Sequence, residues 1–263
     1  MARRRLGQHF LGGTGWRNRI LGTLPHNPTD TWIEIGAGHG EMTELLAPRA
    51  QRVIAIETDE RLLPALRDRV QAGWNNVEII AGDVLALDFA SLASGPFRVY
   101  GNLPYYITSP ILHHLFVYAA QIASIHIVIQ LEVAERIVAP PERRDYGYLS
   151  VFCRYYSKPE IVLRIPPGAF RPPPRVKSAL VKLTLPGERA SLGLGDDKKF
   201  LEFVQECFSH KRKTLRNNLL ALATDERIHR AFAACGLRSD ARAEQLTLAR
   251  FAALYREMVP SAV

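Results

Sequence analysis

Five short apolar runs constrain what this chain can fold into more than any other feature: residues 32–35, 53–56, 77–80, 98–100 and 125–130. They are apolar almost throughout rather than alternating. Such a strand must be covered on both faces, which predicts a mostly parallel sheet between layers of helix. Helical periodicity fills the gaps at 41–47, 60–70 and 110–119. Pro48 ends the first of these, and Pro64 must sit in the first turn or kink of the second. Ser109 suits an N-cap of the third, with Pro110 at the first helical position. Two further strands are expected at 160–164 and 179–185. A polar, glycine-rich break at 187–197 follows, after which strand signals stop. Amphipathic helices are then expected at 200–208, 214–222, 227–234 and 248–258. The expectation is an α/β domain over 1–186 and a small all-helical domain over 187–263.

The ends of the predicted strands carry the candidate chemistry. The first runs into Gly36-Ala37-Gly38-His39-Gly40-Glu41. A glycine turn between strand and helix lets a ligand approach the backbone closely. The dinucleotide fingerprint would need glycine at 41. Glu41 instead puts an acid beside the helix start, where a pyrophosphate would lie, which argues against NAD or FAD. No Gly-Lys-Ser/Thr follows, so there is no Walker loop. The spacing suits a ligand without phosphates, such as S-adenosylmethionine. Glu57 closes the second strand, where an acid can accept from ribose hydroxyls. Asp83 follows the third and could accept from an adenine amino group while the Val84 N–H donates to a ring nitrogen.

The fourth strand ends in Asn102-Leu103-Pro104-Tyr105-Tyr106. The Asn102 side-chain oxygen can accept from an exocyclic amine. Pro104 biases Leu103 away from the helical region, so the Leu103 carbonyl can serve as a second acceptor. Tyr105 offers a face for a base. Two acceptors and a stacking ring suit an adenine N6 or a cytosine N4.

The gross numbers bound the partners. The 263 residues include 34 Lys and Arg against 26 Asp and Glu, a formal net charge of +8, which makes a polyanionic partner plausible. The cations cluster at Arg3-Arg4-Arg5, at Arg143-Arg144, at Arg171, Arg175 and Lys177 in a proline-rich loop, and at Lys211-Arg212-Lys213 with Arg216. On a helix, Arg212 and Arg216 share one face, with Lys213 beside them. Cys153, Cys207 and Cys235 are far apart in sequence, so buried thiols are expected rather than disulfides or a metal site. The N-terminus lacks the apolar core of a secretory signal. No apolar run approaches a membrane span, so no membrane partner is expected.

With these residues in place, the chain resembles the KsgA-type ribosomal RNA adenine dimethyltransferases, in the class that also holds the Erm methyltransferases. The resemblance covers nearly the whole chain. Besides the strand ends it includes Gly7-Gln8-His9-Phe10-Leu11, Gln130-Leu131-Glu132-Val133-Ala134, residues 170–178 and residues 211–219. It implies a Rossmann-like class I methyltransferase fold with a helical C-terminal domain. It implies S-adenosylmethionine as cofactor, held along Gly36, Gly38, Glu57, Asp83, Val84 and Asn102, with His9 and Leu11 closing over it. His9 stands where asparagine is more usual in the family, and an imidazole replaces only one amide hydrogen bond. The implied reaction gives two methyl groups to N6 of each of two adjacent adenosines near the 3′ end of small-subunit rRNA. Asn102, Leu103, Pro104 and Tyr105 would be the catalytic set, with Phe170 a candidate for the base face opposite Tyr105. Arg171, Arg175, Lys177, Lys211, Arg212, Lys213 and Arg216 would face RNA in the pre-30S particle. A monomeric cytoplasmic protein is the corresponding expectation. An Erm-like enzyme acting on large-subunit rRNA, a non-catalytic assembly factor, and a protein or small-molecule methyltransferase remain as alternatives.

Overall fold

A computed structural model describes residues 9–259, apart from residue 72. The Arg3-Arg4-Arg5 cluster, Gly7 and Gln8 lie outside the described residues. The chain divides into two compact units. The first runs to Ala134 and resumes over Pro159–Leu185; the second holds Glu135–Lys158 and the chain from Pro186 onward.

The first unit is built on a sheet of seven strands. In chain order the strands of the molecule are β1 (Phe10–Leu11), β2 (Thr31–Ile35), β3 (Arg52–Glu57), β4 (Val77–Ala81), β5 (Phe97–Asn102), β6 (Ile122–Gln130), β7 (Lys158–Ile165), β8 (Phe170–Arg171) and β9 (Ser178–Thr184). The large sheet has the order β4-β3-β2-β5-β6-β9-β7, and β1 pairs separately with β8. From β4 to β6 the strands are parallel, and β9 runs antiparallel to β6. The fully apolar runs are the central ones: in β2 and β3 every residue after the first is buried. β4 lies at the sheet edge and is only partly covered.

Strand register fixes the site. Ile35 pairs with Ile56 on one side and Gly101 on the other, Glu57 pairs with Ala81, and Asn102 with Val128. All these strand ends therefore reach one edge of the sheet. The chain leaves β2 toward β3 and β4, then returns to β5 on the other side of β2. That reversal opens a crevice at the carboxyl ends of β2 and β5, where ligands of open α/β sheets bind. Trp32, Val53, Tyr100, Val128 and Leu180, from five strands, form a buried cluster with Leu11, Ile20 and Phe170.

The helices of this unit are α1 (Thr14–Leu21), α2 (Thr43–Leu46), α3 (Leu63–Gln71), α4 (Phe89–Leu92) and α5 (Thr108–Val117); α6 (Leu131–Val138) follows β6. Pro64 falls in the first turn of α3, where its missing N–H costs nothing. Ser109 is not the cap of α5. A turn closed by Ile107 N donating to Pro104 O at 3.2 Å leads the chain into the helix early, and Ile107 takes the capping position.

The second unit is helical: α7 (Tyr148–Tyr156), α8 (Arg189–Leu192), α9 (Asp197–Cys207), α10 (Leu215–Leu219), α11 (Asp225–Ala234) and α12 (Leu248–Met258). Asp196, Thr214 and Thr247 cap α9, α10 and α12 by accepting from Lys199 N, Asn217 N and Arg250 N. The single cut expected after residue 186 misses that 135–158 belongs here. Tyr155 packs on Phe200 with ring centroids 5.2 Å apart, and Tyr146 donates to Leu246 O at 2.8 Å. Those long-range contacts bind the segment to helices far along the chain. Cys153 and Cys207 are buried free thiols, and burial pushes both thiol groups up. Among the described residues no helix is long and apolar enough to cross a membrane.

Candidate active site

A cleft opens at the strand ends of the first unit. It brings together His9, Gly36, Glu57, Asp83, Val84, Asn102, Leu103, Pro104 and Tyr105, drawn from the turns after β2, β3, β4 and β5 and from β1's approach. Gly38 and Leu11 line a smaller adjoining recess with Glu34, Arg17 and Asn102.

The glycine turn is built by backbone bonds. Gly36 N and Ala37 N both donate to Ile56 O, at 2.9 and 3.1 Å. Gly38 has φ +60°, and a Cβ there would also meet the Phe10 ring at 3.1 Å. Glycine is required at 38 by conformation and by the closeness of β1. The Gly38 N–H donates to Glu57 Oε2 at 2.7 Å, and Asp59 N donates to Glu57 Oε1 at 2.8 Å. Glu57 is 3% exposed, so this pair of bonds orients a nearly buried carboxylate with each oxygen still able to accept once more. Asp83 Oδ1 accepts from Leu85 N at 3.0 Å and caps a single helical turn at Val84–Ala86.

Asn102 ends β5. Its Nδ2 donates to the His9 carbonyl at 2.8 Å, which commits the donor end of the amide and leaves Oδ1 as the accepting end. Leu103 N donates to Val128 O at 3.0 Å, and the Leu103 side chain is buried. The Tyr105 hydroxyl meets Ser178 Oγ at 2.9 Å, and its ring stacks against His9 with centroids 5.9 Å apart. His9 Nδ1 donates to Pro172 O at 2.7 Å, and Gly12 N to Ala169 O at 2.8 Å. With the β1–β8 pairing, these bonds strap residues 9–12 across the cleft side of the sheet.

Phe170 does not reach the cleft. It pairs with Leu11 in β8, is 1% exposed, and packs in the apolar cluster with Tyr100 and Leu180. Its ring is a core plug and presents no face to a base. Arg171, at the end of β8, and Arg175 and Lys177, on the loop that follows, are exposed. In the second unit Lys211, Arg212 and Lys213 are exposed but precede α10, so Arg212 and Arg216 do not share a helix face. Arg216 is also not a bare charge: it makes a two-bond pair with Asp225, both at 2.7 Å. Lys211 Nζ donates to Arg144 O at 2.6 Å.

Several cleft residues carry no signal of their own in the sequence. Ile35 and Ile56 form apolar floor because they are the last or next-to-last residues of buried strands, and Thr58, Gly82 and Ile107 adjoin Glu57, Asp83 and Tyr106, already singled out. Glu34 is hidden inside an apolar run. It is 2% exposed, and Thr43 Oγ1 donates to its Oε2 at 2.6 Å. Burial pushes its carboxyl up to about 8, against the Thr43 bond, which favours the ionised form; Glu41 and Glu57 add to the rise. Among the described residues no group of His, Cys, Asp or Glu could hold a metal ion.

The comparisons with known proteins agree with this geometry. The family description "Ribosomal RNA adenine dimethylase" matches residues 1–259. A protein of Acidobacterium capsulatum named ribosomal RNA small subunit methyltransferase A is 43% identical over 257 residues, covering 97% of this chain and 90% of that protein. A protein of the same name from Xanthomonas campestris pv. campestris is 42% identical over 251 residues, covering 95% and 94%. Among solved structures, a dimethyladenosine transferase from Plasmodium falciparum superposes with a TM-score of 0.78 at 26% identity, covering 95% of this chain and 97% of that one. The 23S rRNA methyltransferase ErmE gives 0.71 at 26% identity, covering 95% and 99%. A match that runs through both units and every strand end of the cleft places the chain in the ribosomal RNA adenine dimethylase family.

Proposed function

We infer that this protein transfers methyl groups from S-adenosylmethionine to N6 of two adjacent adenosines near the 3′ end of small-subunit rRNA, giving N6,N6-dimethyladenosines. The observation that carries the reading is the Asn102 amide: its donor end is tied to His9, so its acceptor end is the one free to meet an amine in the cleft. The names of the relatives supply the substrate class.

The residues present fit the cofactor. Glu57 is a fixed acceptor for a pair of hydroxyls, and Asp83 lies one strand over. Glu41, lining the recess beside the glycine turn, disfavours a phosphate-bearing ligand there. S-adenosylmethionine supplies an electrophilic methyl on a sulfonium. The lone pair of an adenine N6 is delocalised into the ring, so the nucleophile needs alignment. Asn102 Oδ1 and the Leu103 carbonyl accept from N6–H and aim the lone pair, a contribution of orientation and electrostatics. Tyr105 stacks on the target ring once the base has left its helix. The alkylated amine is acidic enough to lose its proton to solvent, and no general base is assigned. The first unit is thus the catalytic domain. The second, with Lys211, Arg212 and Lys213, docks on RNA of the pre-30S particle. The enzyme works as a monomer, in the cytoplasm where that particle is assembled.

The test is incubation with labelled cofactor and unmethylated small and large ribosomal subunits in separate reactions. Label is expected in small-subunit rRNA. Label confined to the large subunit would replace this reading with an Erm-like one, and cofactor binding without transfer to either would favour an assembly factor.

A further inference from the structure

Tyr106 behaves unlike the rest of its motif. In the turn Pro104–Ile107 the two tyrosines occupy the tip. Tyr105 turns inward, with its hydroxyl on Ser178 and its ring against His9. Tyr106 turns outward. It is 64% exposed and still lines the cleft, so its ring stands at the mouth. Among the described residues it is the sole aromatic ring in the set of exposed large apolar side chains. An aromatic ring held open to water at the rim of a site that receives a base is the kind of surface on which nucleobases stack.

We propose that Tyr106 is a stacking platform for the nucleobase next to the one inside the cleft. The inference rests on the reading that the targets are two adjacent adenosines. Turning one base out of its stack leaves its neighbour with a bare face, which costs free energy. A ring at the mouth covers that face while the target is held inside on Tyr105. Because the targets are neighbours, each adenine is the outside base for the other. Stacking reads the flat face of a base and not its amino hydrogens, so a dimethylated adenine is accepted at the mouth as readily as an unmodified one. Tyr106 therefore accepts the outside base whether or not it is already methylated.

The test compares Tyr106→Ala, Tyr106→Leu and Tyr106→Phe with the parent on unmethylated small ribosomal subunits. The readouts are kcat/KM for transfer at each adenosine and cofactor affinity by calorimetry. The Ala and Leu variants are expected to lose roughly 5- to 150-fold in kcat/KM, the range ordinary for one base–aromatic stack. The Phe variant should recover most of that loss, and cofactor affinity should stay at the parental value throughout. Parental kcat/KM in the Ala variant would overturn the proposal. So would a Leu variant equal to Phe, which would make the side chain a bulk filler, or a fall in cofactor affinity, which would make it a cofactor wall. Absence of transfer by the parent would remove the functional reading and this inference with it. Full transfer by parent and Ala variant alike would remove this inference alone.

Discussion

At the scale of single residues, position along a strand made the candidate site legible. Glu57 and Asn102 could be read as candidates because each closes a short apolar run, and parallel strands bring their ends together. What their atoms do was not legible, since it depends on partners far away in sequence. Gly38 orients Glu57, and the His9 carbonyl orients Asn102. Phe170 shows the converse: an aromatic before a proline run looks like a stacking face, and only pairing with Leu11 turns it inward. Replacing Asn102 with Ala should leave the fold intact and reduce single-turnover transfer at saturating cofactor by roughly 10²–10³-fold, the loss typical of one preorganised polar group. Any weakening of the strap would appear separately, in cofactor affinity. Near-parental transfer would show that Oδ1 does not align the nucleophile. Glu34 gives a second prediction. Unfolded, its carboxyl ionises around its ordinary value of 4.5, whereas in the fold it holds its proton to about 8. Between those values the folded protein carries a proton that the unfolded chain has lost, so stability falls as pH rises through the window and levels off above it. Glu34→Gln should flatten that part of a urea-unfolding stability curve. An unchanged slope would mean that Glu34 is ionised in the fold.

At the scale of elements, long periodic segments were readable and short ones were not. α12 lies where the apolar spacing puts it, and the central strands match their runs to within a few residues. α10 starts where its pattern starts, with Thr214 as its cap, which leaves Lys211–Lys213 in the preceding turn; it is shorter than its pattern because it ends at Leu219. β1 and β8 are two residues each, too short for any periodicity, although they build the strap over the cleft. The strap's fit can be tested at Gly38. An alanine there would adopt a left-handed conformation, costing about 1–2 kcal/mol, and would press on the Phe10 ring. Gly38→Ala should lower the melting temperature and weaken cofactor binding together. Parental cofactor affinity in a folded variant would show that the strap and the glycine turn do not act on the same ligand.

At the scale of the molecule, the excess of positive charge is unevenly distributed between paired and unpaired cations. Arg216 is neutralised by Asp225, whereas Lys211, Arg212 and Lys213 make no ion pair among the described residues. Replacing those three with Gln should flatten the salt dependence of binding to small subunits, by roughly 0.7–0.9 in slope for each phosphate that is no longer neutralised. Arg216→Gln should change the slope less, and an equal change would mean that Arg216 leaves Asp225 for RNA. Cleft and charge converge on one product. After reaction of the protein with S-adenosylmethionine and unmethylated small subunits, nuclease digestion and mass spectrometry should locate N6,N6-dimethyladenosine at two adjacent positions near the 3′ end of the small-subunit rRNA. Methyl groups on any other atom, at isolated adenosines, or only in large-subunit rRNA would contradict it.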